Sequence, residues 1–340
     1  MNKGTVTALT LGLLIVLLFV VSLFYGTVHF TPAEVWQALL GHDTTSTAAF
    51  IVRESRFPQA VTALLCGAAL AVSGLLLQTV FTNPLADPSI LGINAGASLG
   101  VAIVILLLGG SLTAGAFSLG GFLLIILAAC IGAGLIIVML LFFSTFVRSS
   151  LMLLIIGIMI SYVTSSLISL LNYVSTAEGV HSYIIWGLGN FSGVSLSHLL
   201  PFSLVILSGL VAAIALIKPL NAMLLGDNYA TNLGINTRLT RTLLLLVTGV
   251  LTAITTAYCG PIAFIGLAVP HMARLLLGTA NHRQLLPVTL LCGSALALLC
   301  NILCSLPGDQ GLIPLNIITP FFGVPVILYV LIRKRRTGAL

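Results

Sequence analysis

Seven carboxylates are all the acid this chain possesses: Glu34, Asp43, Glu54, Asp87, Glu178, Asp227 and Asp309. Each falls in a loop or at the end of an apolar run. General acid–base chemistry needs titratable groups that converge on one reacting atom, and no such pair shares a depth here. No His-Glu-x-x-His zinc helix and no Gly-x-x-x-x-Gly-Lys-Ser/Thr phosphate loop occurs. If ATP drives this protein, another chain binds it. Carriers that run on a proton or ion gradient place ionisable groups at membrane depth. Their absence argues against a self-powered secondary transporter, although a sodium site built from backbone carbonyls stays open. His271 follows Pro270, so it suits a hydrogen bond to a carbonyl that the proline frees. The six cysteines, Cys66, Cys130, Cys259, Cys292, Cys300 and Cys304, lie in apolar runs without a Cys-x-x-Cys pair. They read as small buried apolar residues, not as a metal site or disulfide framework.

Polar residues gather instead in the 19-residue island Lys218–Asn236, KPLNAMLLGDNYATNLGIN. Leu220, Leu224, Asp227 and Thr231 recur on one spacing, and Met223, Leu225, Ala230 and Leu233 on another. Glycines at 226 and 234 interrupt both. The spacing predicts one or two short surface helices, a shape suited to a partner protein.

The elements that position these residues follow from composition. Charged residues are 6% of the 340, against about a quarter in soluble domains. A water-exposed surface cannot be covered with so few charges, so the chain is an all-α integral membrane protein. A span needs about 20 apolar residues. The candidates are roughly 7–28, 57–81, 91–109, 117–146, 151–173, 197–217, 239–258, 262–277, 285–306 and 313–332. The first reads as a true span and not a cleaved signal. Placing both termini in the cytoplasm puts Lys3, Arg148, Lys218, Arg238, Arg241, Arg274, Arg283 and the Arg333–Arg336 cluster inside, as the positive-inside rule asks.

Arg53 and Arg56 are then the two basic residues left outside. Pairing with Glu54 and lipid phosphate accounts for them, and so does docking to an acidic patch on an external protein. Before them, Thr31-Pro32-x-Glu34 starts a short helix with Trp36 at the interface. Asn172–Ser197, also outside, has room for another. Span two ends in Asn83-Pro84-Leu85-Ala86-Asp87-Pro88, a rigid turn where Asn83 and Asp87 can bond freed backbone groups. Gly92, Gly96 and Gly100 follow at the four-residue spacing that lets membrane helices approach closely. Asn83 and Leu85 in this turn, with Ser149 and Ser150 in the turn between spans four and five, are candidates for an inner gate. Leu-Gly-Ile-Asn occurs twice, at Leu91–Asn94 and Leu233–Asn236.

Four segments together resemble the FecCD-type permeases, the membrane subunits of ABC importers for iron-siderophores, haem and cobalamin. They are GAALAVSGLLLQTVFTNPLADPSILGINAGAS (67–98), PLNAMLLGDNYATNLGIN (219–236), GPIAFIGLAVPHMARLLLGTANHRQLLP (260–287) and GLIPLNIITPFFGVPVILYVLIRK (311–334). The resemblance implies one permease domain of ten helices over 1–340, working as a homodimer or paired permeases in the bacterial inner membrane. It implies ABC ATPase subunits carrying ATP and Mg, docked on the 219–236 element through Leu220, Asn221, Leu224, Leu225, Gly226, Asp227, Ala230, Leu233 and Gly234. It implies a periplasmic or lipid-anchored substrate-binding protein meeting Arg53 and Arg56. No cofactor or metal is expected on this chain. The pattern departs at Ser305, where members often carry arginine, and at Asn301 and Asn281, where aspartate is common.

The expected activity is therefore ATP-driven import of a bulky chelate, with no chemistry done on the cargo. A permease for a bare divalent metal or other small solute, and a secondary transporter, are the alternatives.

Overall fold

Lipid offers no hydrogen bonds, so each apolar run must satisfy its backbone internally, and a helix does this within one segment. The computed structural model describes residues 3–41, 46–109, 111–114, 117–147, 150–307 and 311–336, with the backbone alone at 111–114, 117–120, 150, 331 and 333–336. Asp43, Arg148, Ser149 and Asp309 lie outside the described residues, as do the side chains of Ser150 and of the Arg333–Arg336 cluster.

Each of the ten expected runs holds a helix. They are α1 (Lys3–Phe24), α4 (Phe57–Val80), α5 (Ile93–Ala102), α6 (Phe122–Phe146), α7 (Ser150–Val174), α9 (Leu196–Ala215), α12 (Thr237–Cys259), α13 (Ile265–Leu277), α14 (His282–Cys304) and α15 (Leu315–Arg336). Among the described residues seven helices are long and apolar enough to cross a membrane, while Ile93–Leu107, Ile265–Leu277 and Leu315–Val330 are shorter. Between them lie α2 (Pro32–Leu40), α3 (Thr47–Ile51), α8 (Ala177–Gly187), α10 (Ile217–Met223) and α11 (Asp227–Asn232). Two π-helical turns, Val52–Arg56 and Ile103–Leu107, join α3 to α4 and extend α5. One expectation fails at its edge. The fourth run begins at 122 and not at 117, because β2 (Phe117–Gly120) pairs back antiparallel on β1 (Ser111–Ala114). Gly121, at φ 69°, then turns the chain into α6.

The chain divides into two units, described in turn. One comprises Met1–Val72, Asn190–Ser208 and Ala263–Leu340. Here α4 crosses α14 at Gly67 and Gly293, and a Cβ on either glycine would overlap the other's carbonyl oxygen. Apolar side chains gain little by leaving lipid, so backbone proximity and dispersion hold such crossings. Ser294 Oγ adds a 2.9 Å bond to the Leu64 carbonyl across the same crossing.

The other unit comprises Ser73–Gly189 and Gly209–Ile262. The four-residue glycine spacing seen in the sequence acts here. Gly96 of α5 faces Gly132 of α6, and Gly100 faces the Ala128 carbonyl, each too close for a Cβ. Gly96-Ala97-Ser98-Leu99-Gly100 also spells the G-x-S-x-G of a nucleophile elbow. It lies inside a helix, where its glycines are packing points, and so lacks the strand-to-helix turn that motif requires. Asn94 fixes the start of α5 to α12, accepting a 2.9 Å bond from Thr256 Oγ1, with both residues buried.

Candidate functional site

The island folds as two short helices broken at the two glycines. α10 ends at Met223, Gly226 turns at φ 98°, α11 runs Asp227–Asn232, and Gly234 turns at φ 80°. Positive φ is where glycine has no Cβ penalty. Asn236 then caps α12, accepting a 3.0 Å bond from Leu239 N.

The two sequence spacings do not survive as two faces. Leu220, Met223 and Ala230 are buried, whereas Leu224 (43%), Leu225 (64%), Tyr229 (50%) and Leu233 (58%) are exposed. Asn221 is half-buried and Asp227 exposed. The reason is local. A helical phase counted across Gly226 is reset by the turn there, so α10 and α11 each bury their own residues. What remains outward is an apolar surface on a polar loop, rimmed by a charge. That charge is held: Arg241 Nη2 bonds Asp227 Oδ2 at 2.9 Å, with side-chain exposures of 13% and 52%. Arg241 is the residue of this site that sequence reading did not join to Asp227. It lies 14 positions from Asp227, with no periodic signal, and only the turn at Gly234 brings the two together.

Beside this pair lies a cavity of about 400 Å³, lined by Ser144, Thr145, Asp227, Thr237, Arg238 and Arg241 among others. Arg238 Nη2 donates to the Thr145 carbonyl at 3.2 Å.

The gate candidates divide. Asn83 Oδ1 accepts from Leu85 N at 2.9 Å, and Asn83 N donates to the Gln78 carbonyl at 3.2 Å. Leu85 is exposed at the tip. Two residues on, Asp87 is buried and accepts from Ser89 N and Ser89 Oγ. Burial raises its pKa above the ordinary value, which the Ser89 bonds only partly offset. Ser149 is outside the described residues, and Ser150 opens α7 as backbone alone.

The two arginines have different fates. Arg56 is 5% exposed and not a surface cation. Its Nη1 donates to the Leu23 and Phe24 carbonyls at 2.9 and 3.0 Å, and its Nη2 to that of Val28. Its guanidinium lies 5.2 Å from the Phe30 ring centroid. Gly26 admits it, since a Cβ there would stand 2.8 Å from Nε. The carbonyls where α1 ends lack helical partners, and Arg56 satisfies them. Both expected uses of Arg56, docking and pairing with Glu54, give way to this one. Arg53 is half-buried: its Nε bonds the Ala38 carbonyl at 2.9 Å. α2 carries the expected start as a full capping box, with Glu34 Oε2 accepting from Thr31 N at 2.7 Å.

The departures noted at 281, 301 and 305 are structurally quiet. Asn281 caps α14 by accepting from Arg283 N at 3.0 Å, as aspartate would. Asn301 Oδ1 accepts from Gln59 Nε2 at 2.9 Å, and Ser305 is buried one turn later.

A model of the FecCD transport family matches residues 13–333. The chain is 34% identical over 331 residues to the vitamin B12 import system permease protein BtuC of Klebsiella pneumoniae, covering 97% of this chain and 94% of that one. It is 32% identical over 340 residues to the hemin transport system permease protein HmuU of Yersinia pestis, 98% of each being covered. A solved inward-facing metal-chelate type ABC transporter superposes with a TM-score of 0.81 at 30% identity, covering 97% of this chain and 99% of that one. The long apolar helices, the glycine crossings and these matches lead to one conclusion: the chain is a multi-pass membrane protein that belongs to the FecCD transport family.

Proposed function

We propose that this chain is the permease subunit of an ATP-driven importer, and that the exposed apolar surface of α10 and α11 is where its ATPase docks. The observation that carries this is the outward set Leu224, Leu225, Tyr229 and Leu233 on a short, charge-rimmed element between α9 and α12. Interface centres are apolar or aromatic with a polar rim. α10 and α11 adjoin two long helices, so a push on them reaches the membrane interior as a rigid-body movement.

The remaining assignments follow the same reading. The 1–340 chain acts as one permease domain with ten spans and both termini cytoplasmic, paired with a second copy. A substrate-binding protein docks on the opposite face, with Arg53 the charge that meets it. The turn at Asn83 and Leu85, with Ser149 and Ser150, forms the inner gate. The cargo is a metal chelate, haem or cobalamin, the class to which the relatives' names point. ATP and Mg sit on the partner ATPase.

The test uses the complete importer in vesicles. Leu225→Asp leaves membrane insertion intact and lowers ATP-dependent uptake by tenfold or more, on the order of the loss of one central interface anchor. Undiminished uptake in this variant overturns the docking assignment. Uptake that persists without ATP favours a secondary transporter. Assays with haem, cobalamin and a ferric siderophore separate the cargoes, and uptake of a bare divalent metal alone rejects the chelate class.

A further inference from the structure

Arg56 is a buried cation whose charge the fold only partly offsets. A guanidinium stays protonated in proteins, and an unpaired buried charge is costly. Its Nη1 and Nη2 meet the carbonyls of Leu23, Phe24 and Val28. Its Nε takes part in none of these bonds and has no other acceptor among the described residues. The carbonyls at the end of α1 return about half a negative charge, and the Phe30 ring adds only the attraction of its face. Glu54, two residues away, is exposed and makes no ion pair with Arg56.

A cavity of about 80 Å³ reaches this side chain. It lies where α1 ends, α4 begins and α14 ends, at the level where spans meet water. Ser22, Arg56, Asn301 and Ser305 line it, and each is no more than 7% exposed. Asn301 Oδ1 is engaged by Gln59 Nε2, so Asn301 has its Nδ2 hydrogens left to offer. Val28, Ser55, Ser192 and Leu312 also belong to the wall and are exposed, which gives solvent ions a way in. No acid stands among the described lining residues.

Buried amide and hydroxyl groups around a positive charge, with no carboxylate, form a setting for an anion. Volume sets its size. A water takes about 30 Å³, so the cavity admits a halide-sized ion with water beside it and excludes a bulky organic acid. Charge sets its valence, since one guanidinium balances one negative charge. Water alone could accept from Nε but would leave the charge uncompensated. We propose that this cavity binds a small monovalent anion of the chloride class, which completes the pairing of Arg56 and ties together the ends of α1, α4 and α14.

The test is thermal unfolding of the full chain in detergent at fixed ionic strength, with gluconate exchanged stepwise for chloride. Gluconate is too large for the cavity. The midpoint rises with chloride and saturates, and sulfate does not reproduce the rise. Removing Arg56 endangers the fold itself, so the decisive variant is Asn301→Asp, which keeps the shape and puts a carboxylate in the cavity. There the midpoint in gluconate exceeds the parent's, and the half-saturating chloride concentration rises about tenfold or more, as like charges at such short range require. Equal parent midpoints in chloride and gluconate overturn the proposal, as does an unchanged chloride response in Asn301→Asp. A rise given equally by sulfate is a general salt effect and rejects the site. The readout involves neither the ATPase nor a binding protein, so failure here and failure of the docking assignments are separable.

Discussion

Two polar stretches interrupt the apolar chain, and they use their charges in opposite ways. At 47–56 a helix, a π-turn and Arg56 fold inward: the guanidinium is buried against three carbonyls and the Phe30 ring. At 217–236 two short helices fold outward, presenting leucines and a tyrosine while Arg241 holds Asp227 at the rim. Both mix charged residues with apolar ones. The difference is whether the backbone leaves carbonyls to satisfy. The last turn of α1 leaves carbonyls that Arg56 meets, whereas Arg241 meets a carboxylate. Whether one of these arginines is committed to the fold depends on the acceptors that neighbouring segments bring within its reach, not on its side of the membrane.

The largest expected effect breaks the inward case. Arg56→Ala leaves three carbonyls without their donor and costs about 3 kcal/mol or more, read as a lower unfolding midpoint of the purified chain. Stability equal to the parent would return Arg56 to the pool of available charges. Next, Leu225→Asp on the outward stretch abolishes most uptake while the same midpoint stays within about 0.5 kcal/mol, as surface changes do. A large drop in stability would mean that Leu225 supports the fold.

Arg53 stands between the two cases: it is half-buried, and its Nε is committed to the Ala38 carbonyl. Arg53→Glu should weaken substrate-binding-protein docking several-fold at low ionic strength and less at high salt, as screening dictates. An affinity independent of the substitution at every salt concentration would class Arg53 with Arg56. The smallest effect concerns the cap of α2. Bonds from Thr31 N and Oγ1 hold the Glu34 carboxylate below its ordinary pKa of 4.5. The cap's contribution is thus present above 4.5 and is lost as pH falls through the lowered value. Amide exchange in the first turn of α2 should quicken over that window, and in Glu34→Gln this pH dependence should vanish.

Much of the molecule was legible in one dimension. The ten apolar runs became helices because helical hydrogen bonding is the local solution in lipid. The turns at Gly226 and Gly234 were visible because positive φ belongs to glycine. The Leu-Gly-Ile-Asn echo gained a meaning: both copies place a left-handed glycine just before a helix, at φ 81° for Gly92 and 80° for Gly234. The face assignment across 220–233 failed because periodicity assumes an unbroken helix. The start of the fourth run failed because a hairpin was counted as apolar helix.

The sequence alone settled the membrane class, the helical segments and the position of the island, since each depends on neighbours within a few turns of the chain. Tertiary structure decided which charges remain available. Arg56 reaches carbonyls 28 to 33 residues away, and Arg241 reaches an aspartate 14 residues away. Those distances are set by how separate helix ends meet, which hydropathy and local spacing do not encode.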